Sequence, residues 1–335
     1  MLRVAILSFW HIHADGHYRQ AVEHPDTVVM KLWDEDLGRG KQQSADRGIP
    51  YVEHLDEIWS DPDIDAVIVC APTNRHVDIM VQAARAGKHI FTEKVLAPTL
   101  RECNEILQAV EQSGVKLMVA LPQLYESYTL AIQDVLAKGL IGELTSARVR
   151  RSNHGVVNYP RRNFSHFFNK EQSHGGALID VGCHPMYVAR LFLGMPESVS
   201  ASYGYMTGKQ VEDNAVSVLR YANGALGTVE SSFVNPFSPY SMELHGTEGV
   251  LLCGYPEHIV QLRTTRFGEE AATQWTLVDK PQRQPMALAQ WVSHIQNDTI
   301  AEENIALAVD LTKLMEASNL SAALDRPVRI DSLAN

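Results

Sequence analysis

Cysteine is scarce and scattered. Cys70, Cys103, Cys183 and Cys253 form no C-x-x-C pair, so neither a disulfide framework nor a thiolate zinc site is indicated, and a reducing cytoplasm is the expected compartment. Long apolar runs are missing as well: no stretch approaches the ~20 residues that cross a bilayer. The run Met1–Leu7 is only a strand long and has no small-residue cleavage site behind it, so it reads as a first buried strand. Positive charge is in deficit. Lys and Arg number 29 against 40 Asp and Glu, a formal net charge of −11, which argues against nucleic acid, because phosphate binding needs a basic face built against that overall field. There is no internal repeat, low-complexity run or long linker. A neutral or weakly charged metabolite is the expected partner.

What is present divides in two. At 335 residues, with 45% hydrophobic and 21% charged residues, the chain fits a soluble protein of two domains. Up to about residue 121 short apolar runs alternate with helical patterns. Strands are expected at Arg3–Leu7, Thr27–Trp33, Ala66–Cys70, His89–Thr92 and Lys116–Ala120, and helices at Asp15–Glu23, Asp36–Arg47, Leu55–Trp59, Asn74–Ala86 and Leu100–Ser113. Gly87 and Gly114 each close a helical pattern, as C-terminal caps do. Such alternation predicts a doubly wound parallel sheet.

From 122 to 335 the pattern changes. Helices are expected at Thr129–Lys138 and Cys183–Leu193. Strands crowd together at Leu144–Arg151, Ser198–Met206, Asn214–Tyr221, Leu226–Phe233, Tyr240–His245 and Gly249–Cys253, with a hairpin signal at Asn223-Gly224. Helical segments at Pro285–Asn297 and Glu303–Ala323 close the chain. This half predicts an α/β domain with a large, mostly antiparallel open sheet. An open face favours a partner copy, hence a homodimer or homotetramer.

One further absence is local. A dinucleotide-binding unit places G-x-G-x-x-G after its first strand so that backbone can approach pyrophosphate; here the turn reads Ser8-Phe9-Trp10-His11-Ile12-His13. Backbone N–H groups at the next helix start can still meet phosphate, with Ser8 or His11 assisting, or these side chains plug the crevice. Asp34, at the end of the second strand, stands where an acidic residue accepts from the adenosine ribose, which favours NAD, while Arg39 and Lys41 leave NADP open. Ala71-Pro72-Thr73-Asn74-Arg75-His76 follows the third strand; Thr73 or Asn74 can cap the next helix, touch the cofactor, or do both.

Two signatures carry chemistry. Glu93-Lys94 follows a strand, and Asp180-Val-Gly-Cys-His184 follows the pair Gly175-Gly176. Together they supply an ammonium, an imidazole and a carboxylate, a set that can take a proton from a hydroxyl and stabilise the oxygen charge that develops as a hydride leaves carbon. A spacing of four puts Asp180 and His184 on one face of a helix. A capping aspartate with a buried histidine one turn on is the bland reading of the second signature.

These residues resemble the glucose-fructose oxidoreductase and inositol dehydrogenase family, written Gfo/Idh/MocA. The likeness runs through Pro72-Thr-Asn-x-x-His76, Glu93-Lys94, Gly139-Leu-Ile-Gly142, Gly175 to His184, Glu212-Asp-Asn214, Asn223-Gly224 and Gly246-Thr-Glu-Gly249. It implies a Rossmann domain followed by the open-sheet domain, and NAD(P)-dependent oxidation or reduction of sugars, inositols or related polyols. His184 is then the base, Lys94 the stabiliser of the alkoxide, and Asp180 the group that fixes the imidazole or binds a neighbouring hydroxyl. Gln123, Tyr125, His154, Arg161, Arg162 and His166 offer substrate contacts, and no metal is implied. Three departures stand out: the missing glycines, Val95 where the family has proline after Glu-Lys, and Tyr187 where members often carry an acid three positions after the histidine.

Two other readings compete. His11-x-His13 resembles the pair that opens metal-dependent hydrolase barrels, but a barrel needs strand-helix alternation throughout, and strands crowd from 198 to 253. A non-catalytic sensor of the same fold fits the lost glycines and not the retained Lys94, Asp180 and His184.

Overall fold

The computed structural model describes residues 1–154, 157, 165–238, 240–254 and 258–334. The chain forms two compact units, one of residues 1–121 with 285–309, the other of 122–284 with 310–334. The segment 285–309, which chain order assigned to the second domain, thus packs in the first.

The first unit is a five-stranded parallel sheet in the order β2-β1-β3-β4-β5. Its elements are β1 (Leu2–Leu7), α1 (Ala14–Glu23), β2 (Thr27–Trp33), α2 (Leu37–Arg47), the single turn α3 (Asp56–Trp59), β3 (Ala66–Val69), α4 (His76–Arg85), β4 (His89–Thr92), α5 (Leu100–Ser113) and β5 (Leu117–Val119). Val4 to Leu7 and Ala66 to Val69 are fully buried, as expected of central parallel strands covered on both faces. Asp36 caps α2 by accepting from Arg39 N, and Thr99 caps α5 by accepting from Glu102 N. The capping expected of Thr73 or Asn74 is not made: a 3-10 turn, Thr73–Arg75, leads into α4, which has no side-chain cap.

The edge strand β5 is finished by a side chain from far along the sequence. Asn304 accepts from Val119 N at 2.9 Å and donates Nδ2 to Val119 O at 2.9 Å, standing in for the next strand. Trp291, fully buried, lies 5.7 Å from the Phe91 ring and donates its indole N–H to Lys116 O at 3.1 Å.

The second unit holds α6 (Ser127–Ala137), β6 (Leu144–Ser152), α7 (Lys170–Ser173), α8 (Cys183–Leu193), β7 (Ser198–Gly204), β8 (Asn214–Arg220), β9 (Leu226–Ser232), β10 (Ser241–Gly246), β11 (Gly249–Gly254), β12 (Ile259–Thr264), β13 (Thr276–Leu277) and β14 (Val328–Arg329). The strands form one sheet in the order β13-β12-β11-β10-β6-β9-β8-β7-β14, antiparallel except for the β6–β9 pair. Along β8 the burial alternates: Ala215, Ser217 and Leu219 are buried, while Val216 and Val218 face outward, so one face of the sheet is open. A π-helical turn, Leu178–Gly182, precedes α8. Helices α9 (Ala287–Gln296) and α10 (Glu302–Leu324) precede β14.

Candidate active site

In the first unit the expected cofactor residues gather at the carboxyl ends of β1 to β4. Ser8 adopts a positive φ of 77°, unusual for a residue with a Cβ, and its Oγ accepts from Trp10 N at 3.0 Å. Phe9 N donates to Asp34 Oδ2 at 2.8 Å, His11 N to Cys70 O at 3.1 Å, His13 N to His11 Nδ1 at 3.2 Å and Ala14 N to His11 O at 3.0 Å. The turn therefore spends these backbone donors on its own shape, where a glycine-rich turn keeps them for phosphate. Trp10 is buried inside it.

Asp34 is buried at the end of β2 and accepts from Phe9 N, Asp36 N, and Arg39 Nε and Nη2, the last at 2.6 Å. Arg39 also pairs with Glu35. Glu35 escaped the sequence reading, although an acid beside Asp34 was visible. Burial, then the neighbouring Asp34 charge, raises the Glu35 carboxyl against the pull of Arg39. Its Oε2 is buried with no hydrogen-bond partner among the described residues.

His76 is turned inward. Its Nδ1 lies 3.0 Å from Val95 O and 3.2 Å from Leu96 O, and its Nε2 3.1 Å from Ala71 O. Burial lowers its pKa below the usual histidine value, against the raising effect of those carbonyls. It ties the segment after Lys94 to the segment after β3, instead of presenting a ring nitrogen to a ligand. Ala71, Pro72 and Thr73 are buried and Asn74 is exposed.

Glu93 and Lys94 are both buried, and Lys94 N donates to Glu93 Oε2 at 3.2 Å; the Lys94–Val95 peptide is cis. Three imidazoles surround the Glu93 carboxylate. His13 Nδ1 is 3.2 Å from Oε1, His17 Nε2 donates to the same oxygen, and His11 Nδ1 is 3.6 Å from Oε2. Burial alone would raise the Glu93 carboxyl, but the imidazoles outweigh it and hold it well below the usual range. Burial pushes His11 well below its ordinary value, against the pull of Glu93.

The second unit carries Asp180 on the π-helical turn and His184 on α8. Glu212 builds the approach: its Oε1 accepts from Gly176 N at 2.8 Å and Leu178 N at 2.9 Å. A Cβ on Gly176 would lie 2.0 Å from Glu212 O, and one on Gly182 2.7 Å from Ser231 Oγ; only glycine permits these approaches.

His184 is buried, and its Nδ1 lies 3.3 Å from Tyr187 Oη. Tyr187 Oη donates to Gln123 Oε1 and accepts from Gln123 N at 3.0 Å. The phenol proton is thus committed to Gln123, so a neutral His184 donates Nδ1–H to Oη and carries its lone pair on Nε2. Tyr187 is thus a hydrogen-bond partner of the His184 ring that the sequence reading did not assign. Burial raises its pKa well above the phenol range, so it stays a neutral hydroxyl.

Of the expected substrate residues, Gln123 joins this chain of hydrogen bonds. Tyr125 is buried, and its carbonyl accepts from Gln284 N at 3.1 Å. His154 Nδ1 lies 3.2 Å from Phe233 O, and His166 is half-buried with its ring 4.6 Å from that of Phe167. Arg161 and Arg162 lie outside the described residues.

Two family models match the chain: "Oxidoreductase family, NAD-binding Rossmann fold" over residues 3–121 and "GFO/IDH/MocA C-terminal domain" over residues 129–252. The chain belongs to the Gfo/Idh/MocA family. Among relatives of this Gfo/Idh/MocA protein, 1,5-anhydro-D-fructose reductase of Ensifer adhaerens is 30% identical over 228 residues, 67% of each chain. The scyllo-inositol 2-dehydrogenase (NAD(+)) of Bacillus subtilis is 28% identical over 242 residues, 70% of this chain and 68% of its own. The solved structure of levoglucosan dehydrogenase in complex with NADH and L-sorbose superimposes with a TM-score of 0.82 at 21% identity, covering 98% of this chain and 99% of the other, a likeness of fold.

Proposed function

We infer that this Gfo/Idh/MocA protein is an NAD-dependent oxidoreductase that moves a hydride between nicotinamide and a CH–OH carbon of a sugar, inositol or related polyol. The observation that carries the reading is the buried Gln123–Tyr187–His184 chain, which gives an imidazole one tautomer and one orientation. A sensor has no use for a base prepared in that way. The relatives' activities point to the same class, and a parallel-sheet domain followed by an open sheet does not fit a metal-dependent hydrolase barrel.

The first unit fits the dinucleotide at its adenosine end. Asp34 and Glu35 stand side by side there, both paired with Arg39, and a ribose hydroxyl can donate to such a pair. A 2′-phosphate supplies no such donor and meets two carboxylates, which supports NAD over NADP. When bound, nicotinamide takes up or gives the hydride. Asp34 and Glu35 would hold the ribose, and Arg39 balances part of their charge. In the direction of oxidation, His184 Nε2 takes the hydroxyl proton, and the resulting imidazolium is steadied through Nδ1–H by Tyr187. The Lys94 ammonium stabilises the oxygen as it gains charge. Asp180 is assigned to a neighbouring hydroxyl.

Replacing Lys94 by alanine tests this assignment. The expected outcome is a fall in kcat of roughly 10²- to 10³-fold, with Kd for NADH within about threefold of the parent; equal losses in both would show Lys94 to be a cofactor-binding residue only. We propose in addition that a second copy covers the open face of the nine-stranded sheet, where Val216, Val218 and Leu226 are exposed. A monomer in light scattering at micromolar concentration would remove that assembly.

A further inference from the structure

The family reading leaves the histidines of the first turn without a task. His11 and His13 replace the residues of a phosphate-binding turn, His17 stands on α1, and all three converge on Glu93, which is 1% exposed. Imidazole and carboxylate are both stripped of water there.

The hydrogen-bond roles sharpen the point. His11 Nδ1 accepts from His13 N at 3.2 Å, so it carries a lone pair and no proton. The same nitrogen lies 3.6 Å from Glu93 Oε2, too far for a good hydrogen bond. A cation between them would be attracted by the imidazole lone pair and the carboxylate alike. The spacing suits one: ligand atoms about 2.0–2.1 Å from a tetrahedral zinc ion stand roughly 3.3–3.4 Å from each other. The His13 Nδ1 to Glu93 Oε1 distance is 3.2 Å and the His11 Nδ1 to Glu93 Oε2 distance 3.6 Å. All three donor groups present ligand atoms within 4.8 Å of one another.

We propose that His11, His13 and Glu93 form a site for a divalent cation of the zinc class, at the carboxyl edge of the parallel sheet. Two imidazoles and a carboxylate are a donor set that zinc takes, and three protein ligands leave a position for water or a ligand oxygen. His17 is the supporting group. Its Nε2 donates to Glu93 Oε1 and its ring packs 5.1 Å from Phe91, which holds the carboxylate in place. Binding displaces the His13 amide from His11 Nδ1. The net charge of the occupied site is +1, set in the turn that lacks the glycines. The site is independent of hydride transfer: an enzyme that turns over with no cation bound leaves this proposal to the metal titration, and a protein that takes up no cation leaves the proposed function standing.

The test uses tag-free protein stripped with chelator, then titrated with Co²⁺ and followed by the visible d–d absorption of nitrogen- and oxygen-ligated cobalt. One Co²⁺ per chain is expected, displaced by Zn²⁺, with affinity at least ~100-fold weaker in His13→Ala and Glu93→Gln. His13 is the most exposed ligand, its side chain 40% accessible, so His13→Ala retains the fold even if Glu93→Gln does not. No saturable band below millimolar Co²⁺, or binding unchanged in His13→Ala, overturns the proposal and leaves the cluster a proton-sharing network around Glu93.

Discussion

Tyr187→Phe isolates the orienting hydroxyl. Tyr187 is fully buried, and phenylalanine keeps its ring and volume, so no cavity opens and the effect is one of hydrogen bonding alone. Three groups lose their partner at once: Gln123 N–H, Gln123 Oε1 and His184 Nδ1–H. At about 1 kcal/mol for each unsatisfied group, the cost is about 3 kcal/mol of stability in the second unit. The chemical cost is separate. An imidazole no longer held at Nδ1 exchanges tautomers and swings, and misplacement on the scale of an ångström lowers kcat by roughly 10- to 100-fold. The assay is steady-state reduction of NAD⁺ with the best polyol from a substrate panel, beside calorimetric binding of NADH and chemical denaturation. The expected pattern is a fall in kcat with NADH affinity retained. A kcat within about twofold of the parent, in a variant shown to be destabilised, would refute the positioning role of Tyr187.

Other perturbations test the frame that carries the site. Asn304→Ala removes both hydrogen bonds that finish β5 and leaves the backbone of Val119 unpaired; a loss of about 2–4 kcal/mol is expected in urea denaturation, and a loss under about 0.5 kcal/mol would mean that water takes over. Asp65 is held below the usual carboxylate pKa by hydrogen bonds from Arg3, at 2.8 Å to the backbone N and 3.0 Å to Nε. Because the folded value is the lower one, its contribution is complete above the unfolded value of about 3.9 and disappears as pH falls through the folded value. The stability gap between the parent and Asp65→Asn is therefore expected at neutral pH and should close on acidification; a gap that persists at low pH would assign the effect to packing.

Local chemistry made much of the fold legible. Leu100–Ser113 and Cys183–Leu193 match their helical patterns residue for residue, and Gly114 ends its helix in the left-handed region with φ +67°. The hairpin at Asn223-Gly224 joins β8 to β9, with Gly224 at φ +87°. What escaped depends on partners far apart in sequence. Ile259–Thr264 alternates as a strand should, but the run of strands expected from the sequence ends at Cys253, and only pairing with β11 extends the sheet. The place of 285–309 in the first unit rests on Trp291 and Asn304, whose partners lie more than 170 residues away. At the site, His184 was legible from its motif. Its orienting partner was not, because a tyrosine was read as a departure from an expected acid, and only a bond to Gln123 across 64 residues shows what its hydroxyl does. His76 illustrates the converse: the motif was seen, but the direction of the ring depends on the carbonyls of Val95 and Leu96.

The central claim, a nicotinamide-dependent oxidoreductase working without a glycine-rich turn, is tested most directly by calorimetric titration of tag-free protein with NAD⁺, NADH, NADP⁺ and NADPH. One saturable site per chain for NADH, at roughly micromolar Kd or about −8 kcal/mol and tighter than for NADPH, is the expected result. No binding of any of the four would mean that Trp10 and its neighbours close the crevice, and would contradict the account.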